Sequence, residues 1–163
     1  MHVRVATTAN VDDGIWGSIK SLPLNTTTNI RVEAFGLDVF LYLNNSLDSM
    51  VTVLAERISG AAFLYDSDPW WPSAQASISS IQMKSLSTML FKSASNFNGQ
   101  LSKLAVYETT FVPANFSLSF TIKPFGTVSE LASIIHYCKD KIDLGIGGRM
   151  PGKFLKIQLT YRL

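Results

Sequence analysis

The stretch best equipped for chemistry is Asp66-Ser67-Asp68-Pro69-Trp70-Trp71-Pro72. Two adjacent indoles between prolines make a rigid aromatic platform. A sugar ring stacks on such a surface through its C–H face, and a protein partner seats an anchor there. Asp66 and Asp68 bring the hard oxygens that calcium prefers, but a calcium site takes about six or more of them. Two acids two residues apart also make an ordinary turn, and one indole capping the core would explain the tryptophans equally well. Arg149, in the loop Gly147–Gly152, is a second candidate, able to hold a carboxylate or sulfate with its planar fork or to be a plain surface arginine. Asp66, Asp68, Trp70, Trp71 and Arg149 are therefore the candidate ligand-binding residues. No cofactor is assigned, and calcium stays an open option.

Reactive chemistry finds less support. Glycan cleavage needs a carboxylate pair, about 5–5.5 Å apart in a retaining enzyme. The glutamates are Glu33, Glu56, Glu108 and Glu130, and none alternates with a second acid along a strand. Asp12 and Asp13 are adjacent, so on a strand they would point to opposite faces. His2 and His136 are the only histidines, and any Ser-His-Asp or Cys-His site would have to recruit one of them. His136 and Cys138 share a strand face, which is short of a zinc set; a rim histidine and a small apolar cysteine explain them. Gly145-Ile146-Gly147-Gly148 leads into no helix and reads as a turn, not a phosphate cradle. The expectation is a protein without a catalytic centre.

Composition sets the class. The 163 residues are one domain's worth, 47% apolar and only 16% charged, with a net charge of +2; an average domain is about 25% charged. The basic residues are spread, giving no footprint for nucleic acid. One cysteine leaves no intrachain disulfide. No stretch approaches the ~18 consecutive apolar residues of a membrane helix, and the first residues lack the apolar centre of a signal peptide. The chain reads as a soluble domain whose leader, if it is secreted, lies elsewhere.

The elements that must position these groups are short strands. Phe116, Leu118, Phe120 and Ile122 alternate with Ser117, Ser119, Thr121 and Lys123 before Pro124 ends the run. That is a strand with one buried and one wet face. Similar runs cover His2–Thr8, Ile15–Ile19, Asn29–Phe35, Leu37–Leu43, Met50–Leu54, Gly60–Tyr65, Ala76–Met83, Thr88–Phe91, Gln100–Tyr107, Leu131–Tyr137, Ile142–Ile146 and Phe154–Tyr161. Leu37–Leu43 and Met50–Leu54 read as hairpin partners across Asn44-Asn45-Ser46. Asn10–Gly14 reads as a turn, and Ser79-Ser80 as a local irregularity in its strand. Val128, Leu131, Ala132, Ile135 and Cys138 also fit a helical face, so helix competes with strand there. About a dozen short strands at spacings near 8–12 residues predict an all-β, two-sheet antiparallel sandwich.

Several runs resemble strands of concanavalin A-like and laminin G-like jelly-roll domains. Phe116–Phe125 is similar to the family's F-S-hydrophobic-S-F/W-hydrophobic-K-P strand. Ser133–Tyr137, Asp143–Ile146 and Lys153–Leu163 resemble the strands after it. Val11-Asp12-Asp13-Gly14-Ile15-Trp16 looks like the N-D-G-x-W turn that follows in the family, with Gly17 in place of the usual histidine. Val39–Asn45 looks like v-x-L-Y-v-N/D-G, with Asn45 for the glycine, and Ala61–Tyr65 and Ala76–Ser85 look like closing strands. The matches fall in rotated order, 115–163 first and 1–87 after, joined through about 88–114. The resemblance implies a circularly permuted jelly roll over 1–163, because domain ends lie at the surface and tolerate being moved. Two half-domains, or a domain-swapped assembly, would give the same order, although an isolated half leaves an open sheet edge. The core strand 115–125 is expected to take its cover from Ile30–Leu43.

The function implied is non-enzymatic recognition of a glycan or an extracellular protein, at the cell surface or outside it. A structural subunit of a filament or shell, assembling through sheet edges as a homo-oligomer, is the alternative. Sequons at Asn25-Thr26-Thr27, Asn44-Asn45-Ser46 and Asn115-Phe116-Ser117 agree with secretion without establishing it.

Overall fold

In the computed structural model, Phe116, Leu118, Phe120 and Ile122 are all buried while the residues between them are not. The described residues are 2–5, 7–9, 13–15, 20–65, 74–85, 89–96, 106–112, 115–126, 132–138 and 157–161. They form twelve strands and, among themselves, no helix. The strands are β1 (His2–Val5), β2 (Asp13–Ile15), β3 (Thr28–Phe35), β4 (Asp38–Leu43), β5 (Ser46–Thr52), β6 (Gly60–Tyr65), β7 (Ala76–Ser85), β8 (Met89–Asn96), β9 (Val106–Val112), β10 (Phe116–Pro124), β11 (Ala132–Cys138) and β12 (Ile157–Tyr161).

They make two antiparallel sheets, ordered β2-β1-β12-β11-β6-β9 and β5-β4-β3-β10-β7-β8. β10 is central to the second, with Phe120 opposite Ile30 of β3 and Ile122 opposite Ile78 of β7. The cover expected for β10 from Ile30–Leu43 is therefore corrected: that segment shares its sheet instead of lying over it. β3 lies beside it and β4 one strand further. One buried cluster joins the sheets, taking Val3, Val5 and Ile134 from the first and Ile30, Val32, Leu41, Ile81, Met83, Leu118 and Phe120 from the second. The edge strands also approach one another, β2 near β5 and β8 near β9.

Turn chemistry explains the hairpins. Asn44 and Asn45 join β4 to β5 with φ of 50° and 64°. A type I′ turn needs two such left-handed residues, and asparagine tolerates them best after glycine. Asn45→Val is therefore expected to cost about 1–2 kcal/mol and Asn45→Gly nothing, as a thermal melt of each variant would read. Ser80, at φ 55°, is the extra residue of a bulge in β7, where the register shifts against both β10 and β8. The double serine marks it in the sequence.

Other boundaries move. Asp13 and Gly14 are not in a turn; they pair with Val5 and Arg4 in β2. The segment that also fitted a helix contains the strand β11, because its backbone is claimed by β12 and β6 on either side. β5 starts at Ser46, four residues before Met50, and β8 and β9 run later than their apolar runs suggest. The expected strand Ile142–Ile146 lies outside the described residues.

Candidate functional site

Strand alternation that buries one face of the second sheet must present the other. On β4, Val39, Leu41 and Leu43 are buried, so Phe40 and Tyr42 face away from the core. On β3, Arg31 and Glu33 do the same, and on β10 Ser117 and Ser119. Cross-strand register lines them into two rows. One runs Leu47–Tyr42–Arg31–Ser119–Gln82, the other Met50–Phe40–Glu33–Ser117–Lys84. At about 4.8 Å per strand, each row spans roughly 19 Å. The rows grade from apolar at β5, through aromatic and charged, to hydroxyl, amide and ammonium at β7.

The charged centre of the face is self-organised. Arg31 Nη1 donates to Glu33 Oε1 at 3.0 Å, and the guanidinium sits 4.1 Å from the Tyr42 ring centroid. Phe40 and Tyr42 lie 6.5 Å apart, tilted by 30°, close to the offset pairs that rings favour. Both charges are about a third exposed, 33% and 35%. Water therefore weakens their attraction to well under 1 kcal/mol, and what the pair fixes is orientation. The cation takes one side of Tyr42 and leaves Phe40 the freer ring. Glu33 then stands as a hydrogen-bond acceptor next to two serine hydroxyls. This set can stack on an apolar ring face and hydrogen-bond hydroxyls; it offers no second carboxylate at catalytic spacing.

A second polar centre lies where the β3–β4 turn meets the start of β10. A cleft of about 350 Å³ is lined by Gly36, Leu37, Glu56, Arg57, Ser59 and Asn115. Asn115 Oδ1 accepts from the Gly36 N–H at 3.1 Å and from Arg57 Nη2 at 3.2 Å. Arg57 Nη1 also donates to the Asp38 carbonyl oxygen at 3.4 Å, and the residue is 6% exposed. Its pKa falls below the usual arginine value through loss of solvent, with the Asp38 charge pulling the other way. It is still a cation at neutral pH. Gly36 has φ +56°, a conformation that suits glycine, which puts its N–H within reach of Asn115. The centre ties three chain segments together, so its first role is a latch.

Asp66, Asp68, Trp70, Trp71 and Arg149, the candidates from sequence, lie outside the described residues. No group of three or more His, Cys, Asp or Glu gathers around a metal-sized space among the described residues. No helix there is long and apolar enough to cross a membrane. Phe40 and Tyr42 were missed because Leu37–Leu43 reads as one apolar run. A signal was present: a run with apolar residues on both faces, in a sheet covered on one side, leaves its aromatics outside. A scan against models of known families, a search of curated proteins and a search of solved structures each find no match.

Proposed function

We propose that the chain is a non-enzymatic recognition module that binds a glycan across the outer face of β4, β3, β10 and β7. One observation carries the reading: two aromatic rings face outward on one strand, in register with a band of carboxylate, hydroxyl, amide and ammonium groups. Sugars present that alternation of apolar ring face and hydroxyl edge. The module is a two-sheet jelly roll of concanavalin A-like or laminin G-like type, acting at the cell surface or outside the cell. The permuted order of 115–163 and 1–87 is supported by two pairings. β12 lies antiparallel to β1, with Thr160 opposite His2, so the two strands stand as a hairpin would. β10 lies between β3 and β7, which come from the other part of the chain.

The test is titration calorimetry of the chain against an oligosaccharide panel that includes neutral and acidic members. Phe40→Ala and Tyr42→Ala are each expected to weaken binding about tenfold or more, equal to about 1.4 kcal/mol, with the melting curve unchanged. Binding at wild-type strength by both variants would refute the assignment to this face.

A structural subunit is the second reading, and Leu47 and Met50 favour it, exposed by 52% and 53% on the edge strand β5. Asp48 counts against strand addition there. It is buried at 6% exposure, takes hydrogen bonds from the Lys20 N–H at 3.1 Å and the Ser49 hydroxyl at 2.6 Å, and is an inward charge on an edge strand. Light scattering separates the two readings: a monomer at working concentration excludes the subunit.

A further inference from the structure

The three sequons are not equivalent in the fold. Asn25 sits in an exposed turn at φ 57°, with residues 23–27 all exposed, and its carboxamide bonds to no described residue. Its N–H donates to the Pro124 carbonyl at 2.7 Å, which ties the turn that holds Leu24 to the end of β10 just before Phe125. Both of these apolar side chains are left uncovered, at 49% and 44% exposure. Asn44, on the β4–β5 turn, is exposed together with Asn45, Ser46 and Leu47. Its Oδ1 accepts from the Asn29 N–H at 2.8 Å, and its Nδ2 is left over. Asn29 is the second residue of β3, four positions after Asn25, so both sequons stand at the same end of the sheet. Asn115 is at the other end, half-buried in the Arg57 latch.

We propose that Asn25 and Asn44 carry N-linked glycans and that Asn115 does not. The proposal rests on the reading of the chain as extracellular, and concerns its modification, not its ligand. In the transfer, Nδ2 bonds to the anomeric carbon of a lipid-pyrophosphate-linked oligosaccharide. The bond from that carbon to the pyrophosphate oxygen breaks, the pyrophosphate leaves with the electron pair, and Nδ2 gives up one proton to the transferase. Thr27 and Ser46 supply the hydroxyls that the motif requires two residues on. The first sugars at Asn25 would lie over Leu24 and Phe125, apolar surface that water otherwise meets. At Asn115 the same sugars would have to share the cleft with Arg57 and Leu37.

The experiment is to secrete the chain from a eukaryotic host, confirm folding by its melting transition, and map occupancy by mass spectrometry. Release with peptide N-glycosidase in heavy-oxygen water converts each occupied asparagine to a labelled aspartate. The three sequons fall in three different tryptic peptides, so each is read separately. The expected result is label at Asn25 and Asn44 and none at Asn115, with Thr27→Ala and Ser46→Ala each removing one glycan from the gel mobility. A folded secreted chain bare at Asn25 or at Asn44, or labelled at Asn115, overturns the proposal. Neither result depends on whether the outer face binds an oligosaccharide.

Discussion

Phe120→Asp is expected to leave the chain with no cooperative unfolding transition. Phe120 is fully buried and is the largest such side chain among the described residues. Removing a buried phenylalanine ring costs about 3–5 kcal/mol through lost transfer energy and the cavity left behind. Placing a carboxylate there adds several kcal/mol more, because nothing within the apolar cluster can pair with it. The sum matches or exceeds the stability of an ordinary domain, about 5–15 kcal/mol. The loss should reach both ends of the sequence at once. β10 is hydrogen-bonded to β3 and β7, and its buried face belongs to the same cluster as Val3, Val5 and Ile134. Amide hydrogen exchange is the readout: protection should vanish in residues 28–52 as well as in 116–124. Persisting protection in 28–52 would mean that the N-terminal strands fold without β10.

Arg57→Leu is the second large effect, expected to cost about 2–3 kcal/mol. Hydrogen bonds to a charged donor contribute about 1.5–3 kcal/mol, and the substitution removes those to Asn115 and to the Asp38 carbonyl. For a chain of this size the melting temperature should fall by roughly 5–10 °C. Arg57→Lys keeps the charge but not the fork, so it should recover only part of the loss. Asn115→Ala should not add in full to Arg57→Leu, because the two side chains share one bond; coupling of about 0.5 kcal/mol or more is the expected shortfall. A melt of Arg57→Leu that matches the wild type would mean the buried guanidinium holds nothing together.

Where one face is buried and the other wet, the sequence declares the strand. β10 shows serine, threonine and lysine between its apolar residues, and its limits come within a residue of those read from alternation. Gly60–Tyr65 is bounded as clearly, and the double serine of β7 marks its bulge. β4 is harder, since Phe40 and Tyr42 are apolar residues on the outer face, and alternation disappears where the candidate site lies. Arg57 and Asn115 are 58 positions apart, and neither sits in a motif that announces the other. Their contact exists only because β10 pairs with β3 and carries Asn115 to the β3–β4 turn. Sheet pairing between distant segments creates the latch and both surface rows, and single-strand periodicity does not encode which strands become neighbours. Asp66–Pro72, singled out by its composition alone, lies outside the described residues.

The most direct test of the outer-face assignment is chemical-shift mapping of the isotope-labelled chain titrated with the tightest oligosaccharide of the panel. The amides expected to move belong to Arg31, Glu33, Phe40, Tyr42, Gln82, Ser117 and Ser119, while those around Arg57 and Asn115 stay fixed. Shifts that leave β3, β4, β7 and β10 untouched, or a panel in which no oligosaccharide moves any resonance, would contradict it.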